Sequence, residues 1–110
     1  MTTTSEKTDL ENHVKSIARD LTNGLFEPSE DGEPFSAFDY LQDALDIEYI
    51  VNSKREYIGA RVLVAFGGPN IWVDTRRRRV EGHWWGQYAE ASFDDAIGLD
   101  EALEELWNCQ

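Results

Sequence analysis

"YIGARVLVAFGGPNIWVD", residues 57–74, decides how this chain folds. From Tyr57 to Phe66 it is rich in β-branched and aromatic residues, and "ARVLVAF" is apolar at both odd and even positions, the pattern of a central strand covered on both faces. Gly67 and Gly68 then supply positive φ, and Pro69 cannot donate to a ladder, so residues 67–70 read as a turn. From Asn70 to Thr75 the chain alternates, with Ile71 and Val73 on one face and Trp72 and Asp74 on the other. Two strands across so short a break form an antiparallel hairpin.

The flanking sequence extends it in both directions. Ile47 to Val51 reads as a preceding strand, joined through the turn "NSKRE" at residues 52–56. Val80 to Trp85 reads as a following one, which places Arg76 to Arg79 at a hairpin tip and suggests a bulge at Gly82. "GQYAEASFDDAIG", residues 86–98, carries a weaker pattern, that of a short edge strand and a turn.

Helical spacing appears only outside this block. Leu10, Val14, Ile17 and Leu21 form one apolar stripe and predict a helix over Asp9 to Thr22, with Thr8 and Glu11 as a capping box and Asn23-Gly24 as its stop. Residues 25–35, with two prolines, a glycine and four acids, read as a loop. Ser36 as N-cap with Asp39 three residues on predicts a second helix to Leu45, burying Phe38, Leu41 and Leu45, with Phe35 stapled onto Tyr40. A last helix spans Asp100 to Asn108, with Leu99, Leu103, Leu106 and Trp107 inward and Glu101, Glu104 and Glu105 toward water. The expected architecture is α+β, one domain over residues 1–110: two N-terminal helices, a four-stranded antiparallel meander, and a C-terminal helix packed on the sheet.

Charge narrows the function. The formal net charge is −12, and it is segregated. Residues 20–48 hold nine acids and no base, and residues 81–110 hold eight acids and no base. Seven of the ten bases lie between them, at Lys54, Arg55, Arg61 and Arg76 to Arg79. Direct nucleic-acid binding needs a positive surface, which this balance opposes. Four side chains at a tight turn also splay apart. Their expected work is internal: pairing with the acidic helices, and covering Trp72 or Trp85 with their alkyl stems. A protein or RNA contact at the tip is the other reading of the same run.

Catalytic chemistry finds little footing. His13, mid-helix, and His83, read as a half-buried strand residue, stand beside no nucleophile, and Cys109 falls in a terminus expected to fray. Those three share no metal-ligand spacing, and "FGGPN" is not a phosphate-binding loop. No enzyme activity, metal or cofactor is expected. A single cysteine, no apolar leader and no apolar run long enough for a bilayer predict a cytosolic protein without membrane attachment.

What remains is recognition. Asp39, Asp43 and Asp46 recur at i, i+4 and i+7, an acidic stripe on the second helix that repels itself by a few tenths of a kcal/mol per pair. Glu101, Glu104 and Glu105 make a second acidic face, though simple solubility would account for either stripe. Trp84 and Trp85 are adjacent on a strand, so one is core and the other outside; the sequence does not decide which of the two is the interface anchor, and Trp85 is carried forward as the candidate.

The block from Tyr57 to Gly86, "YIGARVLVAFGGPNIWVDTRRRRVEGHWWG", resembles one found in small proteins of bacterial mobile elements. With its short length and acidity, the chain is similar to anti-CRISPR and anti-restriction inhibitors, several of which present carboxylates in place of phosphates. The resemblance implies a stoichiometric inhibitor whose partner is a basic protein or ribonucleoprotein effector. An immunity or antitoxin-like protein that neutralises a basic toxin is the alternative. The partner-binding candidates are Asp39, Asp43, Asp46, Glu101, Glu104, Glu105 and Trp85. Oligomeric state is left open.

Overall fold

The computed structural model describes residues 2–24, 26–28 and 32–110, with side chains from Lys7 onward. Residues 29–31, inside the expected acidic loop, lie outside the described residues. The class is α+β, built on a five-stranded antiparallel meander with strands in chain order. These are β1 (Asp46–Val51), β2 (Tyr57–Ala65), β3 (Asn70–Asp74), β4 (Arg79–Trp84) and β5 (Gln87–Ser92). Residues 87–92, read as a short edge strand, form a full fifth strand with a continuous register from Arg79↔Ser92 to Trp84↔Gln87. Their pattern is weak because β5 is an edge strand, with only Ala89 fully buried.

Helix α1 (Thr2–Asn23) lies over β4 and β5, and α3 (Leu99–Asn108) lies over β2. Between them the helices cover one sheet face. Leu10, Val14 and Leu21 of α1 and Leu99 and Leu103 of α3 are at most 1% exposed, against Val62, Ile71, Val73 and Val80 at 0%. The expected stripe of α1 is therefore correct, and Gly24 ends the helix at φ 64. Its start is not where the sequence placed it. The helix runs back to Thr2, so Thr8 lies inside it and does not cap it.

Only one face of the sheet is covered. The expectation that β2 is enclosed on both faces holds only in part: Arg61 and Leu63 point to the side without helices, in register with Asp74 and Trp72, where Leu63 is 8% exposed but Arg61 is half-buried. That face carries a side-chain cover of its own: the Arg61 guanidinium lies 4.5 Å from the centre of the Trp72 ring. Arg61, and not the arginine run, shields this tryptophan.

The expected bulge at Gly82 is also absent. Register shifts occur between Ile50 and Val51 and between Leu63 and Ala65, while β4 is regular. Gly82 has a packing reason instead: a Cβ there would fall 2.7 Å from Val14 Cγ2 and 2.9 Å from Leu10 Cδ1.

Helix α2 (Ala37–Gln42) is shorter than predicted. The Ser36–Asp39 capping box is present, with Asp39 N donating to Ser36 Oγ at 3.2 Å and Ser36 N donating to Asp39 Oδ2 at 2.9 Å. The far end stops early because Leu45 N donates to Leu63 O at 2.9 Å, which draws the chain into the sheet. Ala37 and Leu41 are the buried residues, whereas Phe38 and Leu45 are 42% and 60% exposed. The Phe35 staple runs through a third ring: Phe35 stacks on Phe26 at 4.6 Å, and Phe26 meets Tyr40 edge-on at 5.5 Å.

Tyr57 ties the sheet to α3. Its hydroxyl donates to Asp100 Oδ1 at 2.6 Å. Burial and that carboxylate push the phenol well above the usual tyrosine value of 10.0, and burial with Asp20 pushes Tyr40 up to about 12. Both phenols hold their protons more tightly when folded. Their contribution to stability is therefore complete below pH ~10 and falls as the pH rises through the folded values. Urea titrations at pH 9 and pH 11.5 should show a lower midpoint at the higher pH, and a smaller drop in Tyr57→Phe.

Candidate partner-binding surfaces

The C-terminal acidic face rests on a capped helix. Asp95, four residues ahead of α3, accepts Leu99 N at 2.6 Å on Oδ1 and Asp100 N at 2.8 Å on Oδ2. The N-cap position itself is Gly98, left-handed at φ 74 and without a side chain, so the loop carboxylate takes over the capping. The buried Leu99, Ala102 and Leu103 set the rotation of α3 about its axis, and with it the direction of its outward side chains.

That rotation divides the three predicted glutamates. Glu101 and Glu105, one turn apart, line a groove of about 240 Å³ between α2 and α3, with Phe38, Ala37, Ile97 and Ala102 as apolar lining. Glu104 stands on the Tyr57 flank of the helix, close enough to help keep that phenol protonated. All three are exposed, and none forms an ion pair among the described residues.

The predicted stripe on α2 does not exist. Asp39 spends Oδ2 on the capping box, Asp43 is the C-cap, and Asp46 lies in β1, its Oδ1 accepting Ile47 N at 2.9 Å. The i, i+4, i+7 spacing needs about two helical turns, and α2 ends before the third residue. Asp43 remains exposed, beside a cavity framed by Phe26, Phe35 and Tyr40.

Trp85 is 79% exposed, but in a turn and not on a strand. It and Gly86 form the two-residue β4–β5 connection, with φ 51 and 77, the backbone of a type I′ hairpin. Asn-Gly is the usual choice there, and a bulky residue in that conformation costs roughly 1–2 kcal/mol. Its ring meets no partner ring among the described residues. Trp84 is the half-buried member of the pair, packed against the core. Trp85 shares a groove of about 260 Å³ with His83 and Tyr88. Phe66, 72% exposed, and Leu45 reach solvent at the same end of the sheet, where the β2–β3 turn and the start of β1 also lie. His83 is thus exposed and not half-buried, its ring 4.8 Å from that of Tyr88 across the strand pair.

Two arginines of the run have defined partners, neither on a helix. Arg78 lies 3.8 Å from Asp95, whose side chain is 4% exposed, and Arg79 pairs with Glu90 of β5. Arg79 itself belongs to β4, so the tip proper is Thr75 to Arg78.

No family model, curated protein or solved structure matches the chain. Among the described residues no group of three or more metal-ligating side chains is gathered, and no helix is long and apolar enough to cross a membrane.

Sequence reasoning missed Phe38 and Phe66 as surface residues. The clue for Phe66 was the Gly-Gly-Pro that follows it, which ends the strand and turns the ring outward. For Phe38 there was none, since a short helix that breaks off early looks identical to a longer one up to its last residue.

Proposed function

We propose that this protein is a stoichiometric, non-enzymatic inhibitor of a basic, nucleic-acid-binding effector, of the anti-CRISPR or anti-restriction kind. One observation carries the reading. Glu101 and Glu105 line a groove together with Phe38 and Ile97 and have no cation among the described residues, whereas Glu48, Glu90 and Asp95 are each spent on an arginine. Carboxylates left unpaired beside a contact aromatic suit a partner rich in Lys and Arg. Such effectors line their nucleic-acid channels with those residues.

The test is a gel shift with purified RNA-guided effector complexes and labelled target duplex. Added protein should abolish duplex binding at close to one equivalent, while the protein alone should not shift the duplex in ~150 mM salt. Glu101→Gln combined with Glu105→Gln should slow association by about tenfold at low salt and flatten its salt dependence. The lost helix-dipole interaction costs about 0.3–1 kcal/mol, so the fold survives the change. An unchanged rate and salt slope would remove the groove from the mechanism. The exposed, strained Trp85 favours a second reading, an immunity protein anchored on one toxin. That reading predicts binding to a single basic toxin and no effect on duplex binding by any effector.

A further inference from the structure

We propose that a cavity walled by aromatic rings beside α2 is a binding site for a methylated ammonium group. The cavity has a volume of about 260 Å³ and is lined by Phe26, Phe35, Tyr40, Asp43 and Val64. It shares no lining residue with the groove of Glu101 and Glu105, and it stands whether or not that groove meets an effector.

The walls come from separate parts of the chain. Phe26 follows the end of α1, where its N–H donates to Gly24 O at 3.0 Å, and it packs against the core as Tyr40 and Val64 do. Phe35 directly precedes the capping box that starts α2, Tyr40 lies on that helix, and Asp43 is its C-cap. Val64 is supplied by β2. Phe35 stacks on Phe26 at 4.6 Å with the ring planes 18° apart, whereas Tyr40 stands at 71° to Phe26. The rings therefore form a corner and not one flat stack. A staple that only sealed the core would close this corner; here it leaves open space bordered by a carboxylate.

The chemistry of the occupant follows from what the walls offer. Aromatic faces are negative and attract cations, and they do so more strongly where water is excluded. Asp43, exposed and lining the same cavity, adds a full negative charge. Residues 20–48 supply all of the lining except Val64, and they hold nine acids and no base. No cation of that segment can fill the site, and the local potential favours one from outside. Burial and the nearby Asp20 carboxylate push the Tyr40 phenol up to about 12, so that negative potential reaches the cavity wall. A bare ammonium is strongly hydrated and loses too much on entering apolar walls. Methyl groups replace that hydration with an apolar shell around the same charge, which suits rings on the walls and a carboxylate beside them. The groove beside Trp85 is also aromatic, but no carboxylate lines it among the described residues. At about 260 Å³ the cavity is smaller than the ~300–1,000 Å³ of sites for drug-sized ligands, so it takes a head group and not a whole ligand of that size.

The experiment is amide NMR of the full chain at constant ionic strength. The probes are choline, its uncharged carbon isostere dimethylbutanol, ammonium, methylguanidinium, and a glycine-flanked peptide bearing trimethyllysine. Choline should shift the Phe35, Tyr40, Asp43 and Val64 amides with a Kd of about 1 mM or tighter. Dimethylbutanol and ammonium should each bind at least about tenfold more weakly, since one lacks the charge and the other the apolar shell. Asp43→Asn should weaken choline by about tenfold and leave dimethylbutanol unchanged. Asp9→Asn, which removes the same charge from α1, should change neither. Phe35→Leu, which keeps an apolar wall but removes a ring, should weaken choline about fivefold with the native spectrum retained elsewhere. A peptide that binds more tightly than choline places the ammonium on a protein side chain, and one that binds more weakly places it on a free small molecule; both uphold the site. Absence of shifts at ~20 mM choline overturns the proposal. So does dimethylbutanol binding as tightly as choline, which would mean a merely apolar hole. Equal weakening by Asp9→Asn would reduce the effect to diffuse electrostatics, and tighter binding of methylguanidinium would make the site one for arginine; either result also overturns it.

Discussion

Asp95→Ala is expected to lower the unfolding free energy by about 3 kcal/mol, with a lower urea midpoint and an unchanged slope. The carboxylate accepts two backbone N–H groups at the start of α3 and faces Arg78, and its side chain is 4% exposed. Removing it leaves both donors unmet and a cation without its counterion. Hydrogen bonds to charged groups contribute about 1.5–3 kcal/mol each, and their sum is reduced here because water can enter the emptied space. Asp95→Asn separates the terms. It keeps one acceptor but loses the charge and the second acceptor, so it should fall about midway. The consequence for function is more specific than instability. Without the cap, the first turn of α3, which carries Glu101, frays, so Asp95→Ala should weaken partner binding through Glu101 even at temperatures where the chain stays folded. An Asp95→Ala protein with wild-type stability would show that Gly98 alone can start this helix.

Gly82→Val should destabilise by about 2–3 kcal/mol, the usual cost of overpacking a tight contact, and it should do so by lifting α1 from the sheet. Gly82 is buried where Leu10 and Val14 cross β4, and the closest approach to a new Cβ is 2.7 Å. Neither neighbour can yield, because both are at most 1% exposed in the core. By strand propensity alone, valine would be the better residue, by up to about 1 kcal/mol. The prediction therefore opposes intrinsic preference to packing and expects packing to win. Val14→Ala in the Gly82→Val background should recover part of the loss by reopening the space. Recovery of nothing, measured by thermal melts, would mean that the strain lies in the strand and not at the helix crossing.

Much of this fold was legible in the chain. The hairpin of residues 57–75, the turns at 52–56 and 67–69, the stripe of α1, the Ser36–Asp39 capping box and the inner face of α3 follow from local rules, because each depends on residues within about two turns of one another. The acidic character of the surface and the segregation of charge were equally plain. The errors on the second helix share one cause. Where α2 stops is decided by Leu45 bonding to Leu63, eighteen residues away. The lost stripe of Asp39, Asp43 and Asp46 follows from that single long-range hydrogen bond.

Only the tertiary structure could assign the outward residues. Glycine 82 carries no sign in sequence that two side chains of α1 will press on it. Glu101 and Glu105 differ from Glu104 only by which neighbour α3 turns them toward, and those neighbours, the groove beside α2 and the Tyr57 flank, come from distant parts of the chain. The arginine run is one string of identical letters, yet Arg78 and Arg79 find carboxylates while Arg76 and Arg77 border a cavity with Glu81. The physical reason is general: periodicity states which residues share a face, whereas pairing, burial and vacancy depend on what the rest of the chain brings to that face.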